Sequence, residues 1–271
     1  VLNPSAPGTS VQQNSSAVID YSNASDGYIM VKWTGGSTSS KLKVLIKGPN
    51  CSENYQYNLR SDGSYDTFPM SDGNGKYSIQ VCKQVSGTKY SQVLSTSITV
   101  QLTDEFAPFI RPNQYVNYSD DSAAVAKAAE LIKEAGVTDN LSKVGVIYDW
   151  VINALTYDTA KAKSVQSGYL PDIDKVMAEG KGICFDYAAL MAAMLRSQGV
   201  PIKLVVGYTG SQYHAWINVW SEDGGWVDGV IYFDGQIWKL MDPTYASSGK
   251  QSASIMKYIG DASNYKARFL Y

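Results

Sequence analysis

What this 271-residue sequence lacks narrows its function before any motif is read. It has one histidine, His214, and three cysteines, Cys51, Cys82 and Cys184. A zinc site built on several histidines or on paired CxxC motifs is therefore excluded, and any chemistry that needs an imidazole must use His214. No window holds the roughly 18 consecutive apolar residues that a membrane-spanning helix needs. Charge is balanced, with 23 Lys plus Arg against 25 Asp plus Glu for a net of −2, so bulk attraction to nucleic acid or to an anionic membrane is not expected. A Walker loop, a complete GxGxxG and the GxSxG elbow are all missing. Gly73-Asn74-Gly75 has no third glycine, and Gly249-Lys250 is followed by Gln251. There is no EF-hand loop or comparable acidic cluster, and neither a metal nor a cofactor is expected. Val1-Leu2-Asn3 opens the sequence without a charged and apolar leader, but the first residue is not Met, so this says little about compartment.

What is present suffices for one large domain or two modest ones, since 44% of the residues are hydrophobic. Residues 1–16 are rich in Ser, Pro, Gly, Asn and Gln and read as a flexible tail or linker. From residue 17 to 102 the pattern has period two: Ile29, Val31 and Trp33 alternate with Tyr28, Met30 and Lys32, and Leu42, Val44 and Ile46 alternate with Lys43 and Lys47. Further strands are expected over Tyr77–Lys83 and Val93–Leu102. With turn clusters at Ser61-Asp62-Gly63-Ser64 and Ser71-Asp72-Gly73-Asn74-Gly75, the segment resembles an all-β, immunoglobulin-like sandwich, a likeness that carries no function. Cys51 and Cys82 form an even pair in this module and are expected to be bridged, with reduced thiols as the alternative. Such a bridge would stabilise by about 3 kcal/mol and implies an oxidising compartment.

After Asp104-Glu105-Phe106-Ala107-Pro108 the period changes to about 3.6, so a second domain is expected over 103–271. Helices are expected over Ser122–Ala135, along the face Val144, Ile147, Tyr148, Val151 and Leu155, over Asp172–Glu179, and from Cys184 to Gln198, with Gly136, Gly180 and Gly199 as stops. Strands follow over Ile202–Tyr208, Tyr213–Trp220, Gly229–Phe233 and Gln236–Met241, the last two joined by an Asp234-Gly235 turn. Helices packed on an antiparallel sheet make this an α+β domain.

Cys184 stands where the loop Gly180-Lys181-Gly182-Ile183 meets a helix. A helix start favours a thiolate, so a lowered thiol pKa is expected, and Gly182 removes a side chain where a substrate backbone would approach. His214 falls on a strand, and Asp242, before Pro243, falls at a strand end. These three resemble the transglutaminase-like superfamily, relatives of papain-type cysteine proteases. The resemblance rests on Gly182-Ile183-Cys184-Phe185-Asp186-Tyr187-Ala188 with Leu190, Leu195 and Gly199-Val200-Pro201, on His214-Ala215-Trp216, and on Asp242-Pro243-Thr244, in the family's order. Ile152, Tyr157 and Asp158 look like its upstream motif.

The resemblance covers about residues 105–271 and implies Cys184 as nucleophile, His214 as base and Asp242 as the residue orienting the imidazole. The stretch from His214 to Asp242 is longer than in many relatives and points to an inserted hairpin. Asp223, Asp228 and Asp234 lie within it as competing carboxylates, each beside glycine. Asp186 reads as a first-turn acid favoured by the helix dipole, and Trp216, Trp220, Trp226 and Trp238 as packing and cleft wall.

The activity implied is acyl transfer at a protein or peptide amide through a thioester. Amine or water is the acceptor, giving cross-linking, deamidation or proteolysis. Tyr157 is a candidate second oxyanion donor beside the Cys184 N–H. The expectation is a secreted or cell-surface bacterial protein with a protein or peptide substrate, one associated with the cell wall included. The alternative is a non-catalytic surface-binding scaffold on an inactive transglutaminase fold.

Overall fold

Alternation of apolar and polar residues over Leu42–Lys47 and Tyr55–Asn58 buries every second side chain of these strands. The computed structural model of the protein describes residues 1–209, 211–222, 225–233, 238–240 and 265–271. The chain divides into two compact units between Gln114 and Tyr115. In the first, β1 (Val11–Gln13), β2 (Ala17–Asp20), β3 (Tyr28–Trp33) and β6 (Asp66–Pro69) form one antiparallel sheet in the order β1-β2-β3-β6. A second antiparallel sheet, ordered β5-β4-β7-β8, is built from β4 (Leu42–Lys47), β5 (Tyr55–Asn58), β7 (Gly75–Ser86) and β8 (Lys89–Val100). Ile29, Val31, Val44, Ile46, Ile79 and Val81 are all buried. The two apolar faces meet, as in the Tyr57 and Phe68 rings 4.6 Å apart.

Two expectations about this half differ from the structure. The first sixteen residues are not a bare tail: β1 pairs with β2, Gly8 N donates to Asp20 Oδ2 at 2.8 Å, and Tyr21 N donates to Ser10 O at 2.9 Å. Few apolar residues are needed where strand pairing and a buried carboxylate satisfy the backbone. The boundary also falls later than residue 102. Thr103 N donates to Ser25 O, Gln114 N to Thr67 O and Gln114 Nε2 to Asn58 O, so residues 103–114 belong to the first unit despite the change of period.

The expected Cys51–Cys82 bridge is absent, since all three cysteines are free. Register explains this. Cys82 pairs with Lys43, whereas Cys51 lies beyond Lys47, which pairs with Ser78. The four residues from Ser78 to Cys82 span about 13 Å of strand, well past the roughly 7 Å Cα limit for a disulfide. Cys51 instead accepts the Gly48 N–H, while its own N–H donates to Asp72.

The second unit begins with α1 (Ala123–Ala135), α2 (Asn140–Ala154), β9 (Thr156–Tyr157), α3 (Thr159–Ser164), α4 (Ile173–Glu179) and β10 (Lys181–Gly182). It continues with α5 (Cys184–Ser197), β11 (Ile202–Thr209), β12 (Gln212–Ser221), β13 (Gly225–Phe233), β14 (Trp238–Leu240) and β15 (Tyr265–Leu270). The last five form an antiparallel sheet in the order β14-β13-β12-β11-β15. α1 and α4 end before Gly136 and Gly180, as their sequences direct.

α5 is the core helix, with every residue from Asp186 to Arg196 buried, and it packs on β11 and β12. Arg196, buried near its end, donates to Ile202 O and to Tyr271 O at 2.6 to 3.1 Å, and complete burial brings its pKa down to about 10. That side chain ties the helix to the start of β11 and to the segment after β15. The Asp234-Gly235 turn lies outside the described residues, although β13 and β14 pair as a hairpin would.

Candidate active site

Cys184 is the first residue of α5, directly after Ile183 in extended conformation. A short parallel pairing, Lys181 with Thr156 and Gly182 with Tyr157, holds the loop before it. Thr156 N donates to Gly180 O and Asp158 N to Gly182 O, each at 2.9 Å. Burial raises the Tyr157 phenol pKa, and the charges of Cys184 and Asp186 add to the rise. Phe185 lines the same region, its ring 5.5 Å from Tyr115 and 6.5 Å from Tyr169.

Cys184 is half-buried, and the backbone groups of Ala215 and Phe185 act on its thiol, favouring the ionised form. Ala215 adjoins His214 in β12, the strand against which α5 packs. His214 is half-buried and pairs with Gly207 of β11. A Cβ on Gly207 would come within 2.2 Å of the Lys266 carbonyl oxygen and 2.8 Å of the Trp216 ring. The position opposite the histidine thus accepts no side chain, because β15 crosses there.

The electrostatics depart from expectation. Protein packed around the Cys184 sulfur is the largest influence and raises the thiol pKa. The backbone groups of Ala215 and Phe185 pull the other way, and Asp186 adds to the rise. Burial holds the His214 imidazole below its ordinary value. Both directions favour uncharged forms, because desolvation penalises charge more than one helix start rewards it.

Asp186 is completely buried and accepts three hydrogen bonds: from Ile183 N at 2.8 Å, Lys161 Nζ at 2.7 Å and Tyr169 OH at 2.5 Å. It is a helix-start acid, as its position suggests, but Lys161 and Tyr169 escaped the sequence reading. The signal for the lysine was there. Asp158 followed by Thr-Ala-Lys-Ala-Lys reads as a capped helix start, and Asp158 Oδ1 does accept the Lys161 N–H to cap α3. Gly182 is also explained differently from expectation: an added Cβ would lie 2.7 Å from the Asp186 Cβ. Its missing side chain makes room for Asp186.

Asp242 lies outside the described residues, as do Asp223 and Asp234 and the side chains of Asp228 and Trp238. Trp216 is core, and Trp220 and Trp226 pack edge to face at 5.7 Å. Among the described residues no group of three or more His, Cys, Asp or Glu side chains could hold a metal ion.

Residues 127–228, which include Cys184 and His214, match the model of the transglutaminase-like superfamily. This stretch is a transglutaminase-like superfamily domain. Among curated proteins, the domain is similar to the uncharacterized protein YebA of Bacillus subtilis, 29% identical over 110 residues, which is 33% of this chain and 15% of that protein. It is also similar to a protein-glutamine gamma-glutamyltransferase of Pseudomonas aeruginosa, 31% identical over 78 residues, or 24% of this chain and 10% of that protein. The chain thus spans a small part of both relatives.

Among solved structures, the periplasmic domain of TgpA from Pseudomonas aeruginosa is 14% identical, with 92% of this chain and 99% of that one covered at a TM-score of 0.36. Red sea bream transglutaminase is 14% identical over 86% of this chain and 53% of that one, at a TM-score of 0.35. At these scores the transglutaminase-like assignment rests on the family match. No helix among the described residues is long and apolar enough to cross a membrane.

Proposed function

We propose that the protein is a cysteine-dependent acyltransferase acting on a protein or peptide amide, with Cys184 as nucleophile, His214 as base and Asp242 orienting the imidazole. The observation that carries the reading is Cys184 at the head of α5, a helix that packs on the strand β12 bearing His214, inside the family match. The raised thiol and lowered imidazole pKa values give the mechanism its form. In the resting enzyme both groups are neutral. As the sulfur attacks the amide carbonyl, His214 takes its proton, then delivers it to the leaving nitrogen, leaving a thioester. An amine or water, deprotonated in turn by His214, attacks the thioester and returns the thiol. The backbone N–H of Cys184, with the nearby Tyr157 hydroxyl as second donor, would hold the oxyanion.

The glutamyltransferase relative prompts the choice of a glutamine side chain as test substrate. A glutamine-containing peptide is incubated with and without a primary amine and the products are weighed. Incorporated amine identifies a transferase, a gain of about one dalton a deamidase, and fragments a protease. An unchanged peptide under all conditions would overturn the reading. We further read the first unit as an immunoglobulin-like sandwich, supported by its strand orders, and the whole as a secreted or cell-surface bacterial protein.

One observation favours a second reading, a non-catalytic surface-binding scaffold: the burial that raises the Cys184 thiol is also what an inert cysteine experiences. Alkylation separates the two. Cys184 labelling that changes in His214→Ala supports catalysis; labelling indifferent to His214 supports the scaffold.

A further inference from the structure

The carboxyl group of Asp186 sits two residues from Cys184, fully buried, where it disfavours a thiolate. Left alone it would oppose the chemistry assigned to its neighbour. The Lys161 ammonium lies 2.7 Å from Asp186 Oδ2 and 2.6 Å from the Tyr169 hydroxyl, which itself donates to Asp186 Oδ1. The same Oδ2 accepts the Ile183 N–H. We propose that Lys161 is a positioning residue of this site: through Asp186 it fixes the start of α5, and by neutralising that carboxylate it sets the field that Cys184 experiences. This rests on the reading of Cys184 as nucleophile.

The geometry gives Lys161 both tasks. The ammonium comes from α3, a separate element, whose first turn is capped by Asp158. Asp158 in turn binds Gly182 O through its own N–H and lies 3.8 Å from the Lys181 ammonium. The loop, the short helix and the head of α5 thus close on one another through Lys161 and Asp186. Lys161 keeps about a quarter of its side-chain surface exposed, at 27%, against 0% for Asp186. The cation can therefore shed part of its charge penalty to water while the carboxylate cannot, so the carboxylate depends on the lysine more than the reverse.

Around the sulfur the titratable groups are Asp186 on its own helix and Tyr157 on β9, with His214 next to the Ala215 contact on β12. Tyr169 donates to Asp186, the charges of Asp172 and Glu179 act on Tyr169, and that of Tyr157 acts on Tyr187. Among the groups that bear on Asp186, Lys161 is paired directly with it.

The test is the pH profile of Cys184 alkylation by iodoacetamide, mapped by mass spectrometry in the full chain, beside thermal melting. Lys161→Met should move the profile to higher pH by about half to one unit, slowing labelling roughly three- to tenfold at a fixed pH below the thiol pKa. Lys161→Arg, which keeps the charge, should move it back toward the parent. Tyr169→Phe, which keeps the ion pair, should give a smaller shift and remains informative if Lys161→Met does not fold. A Lys161→Met profile identical to the parent, with or without a lower melting point, would overturn the proposal and leave the lysine a structural prop. Failure of the underlying reading looks different, because labelling would then be unchanged in His214→Ala.

Discussion

Cys82 and Cys184 are both pressed upward in pKa by burial, yet the two regions holding them differ in every other respect. Cys82 is buried in the middle of β7, flanked by β4 and β8, and desolvation is the whole of its shift. Cys184 begins a helix, keeps part of its surface open, and has the backbone of Ala215 and Phe185 lowering its thiol pKa against the burial. Burial alone makes an inert thiol. Backbone groups at a helix start and on a neighbouring strand that favour the ionised form are what make a developing thiolate tolerable.

The largest effect that could break this comparison is loss of Cys184. Cys184→Ala should lower amine incorporation or hydrolysis by at least about a thousandfold, equivalent to about 4 kcal/mol of transition-state stabilisation. Cys82→Ala and Cys51→Ala should stay within about threefold of the parent, and an equal loss in Cys82→Ala would sink the distinction. Next is a contrast between two buried carboxylates. Asp186→Asn strands Lys161 and should cost about 3 kcal/mol in urea unfolding of its unit. Asp66→Asn breaks a pair whose arginine is 52% exposed and should cost only about 1 kcal/mol.

Smaller again is Gly207→Ala, where the added methyl meets the Lys266 carbonyl; overpacking of this kind costs about 1–3 kcal/mol, visible as a lower urea midpoint. The smallest concerns pH and is a direction only. The folded pKa of His214 lies below its unfolded value of 6.5, so below 6.5 the unfolded chain binds more protons. The contribution is fully present above 6.5 and is lost as pH falls through the folded value. Melting measured from pH 7.5 to 5 should therefore fall less steeply in His214→Gln than in the parent; equal slopes would contradict the burial of the imidazole.

Much of the fold was legible because it is local. Alternation in Leu42–Lys47 and the apolar face from Val144 to Val151 need only their own segments to declare themselves, and β4 and α2 form there. What escaped was long-range or unusually short. β15 has a weak pattern of its own and becomes a strand by pairing with β11. The two-residue strands β9 and β10 exist only because they pair with each other. The disulfide expectation failed for the same reason: counting cysteines says how many thiols there are, while strand register says how far apart they lie.

The sequence by itself determined the residue types available for chemistry, one imidazole and three thiols, and the placement of Cys184 at the head of a helix, since capping and periodicity act within a few residues. Only the tertiary structure decided that α5 packs on the strand bearing His214, that Lys161 reaches Asp186 from a separate helix, and that the thiol is raised instead of lowered. Desolvation and pairing depend on which distant segments pack together, and no local pattern encodes the dielectric around an atom.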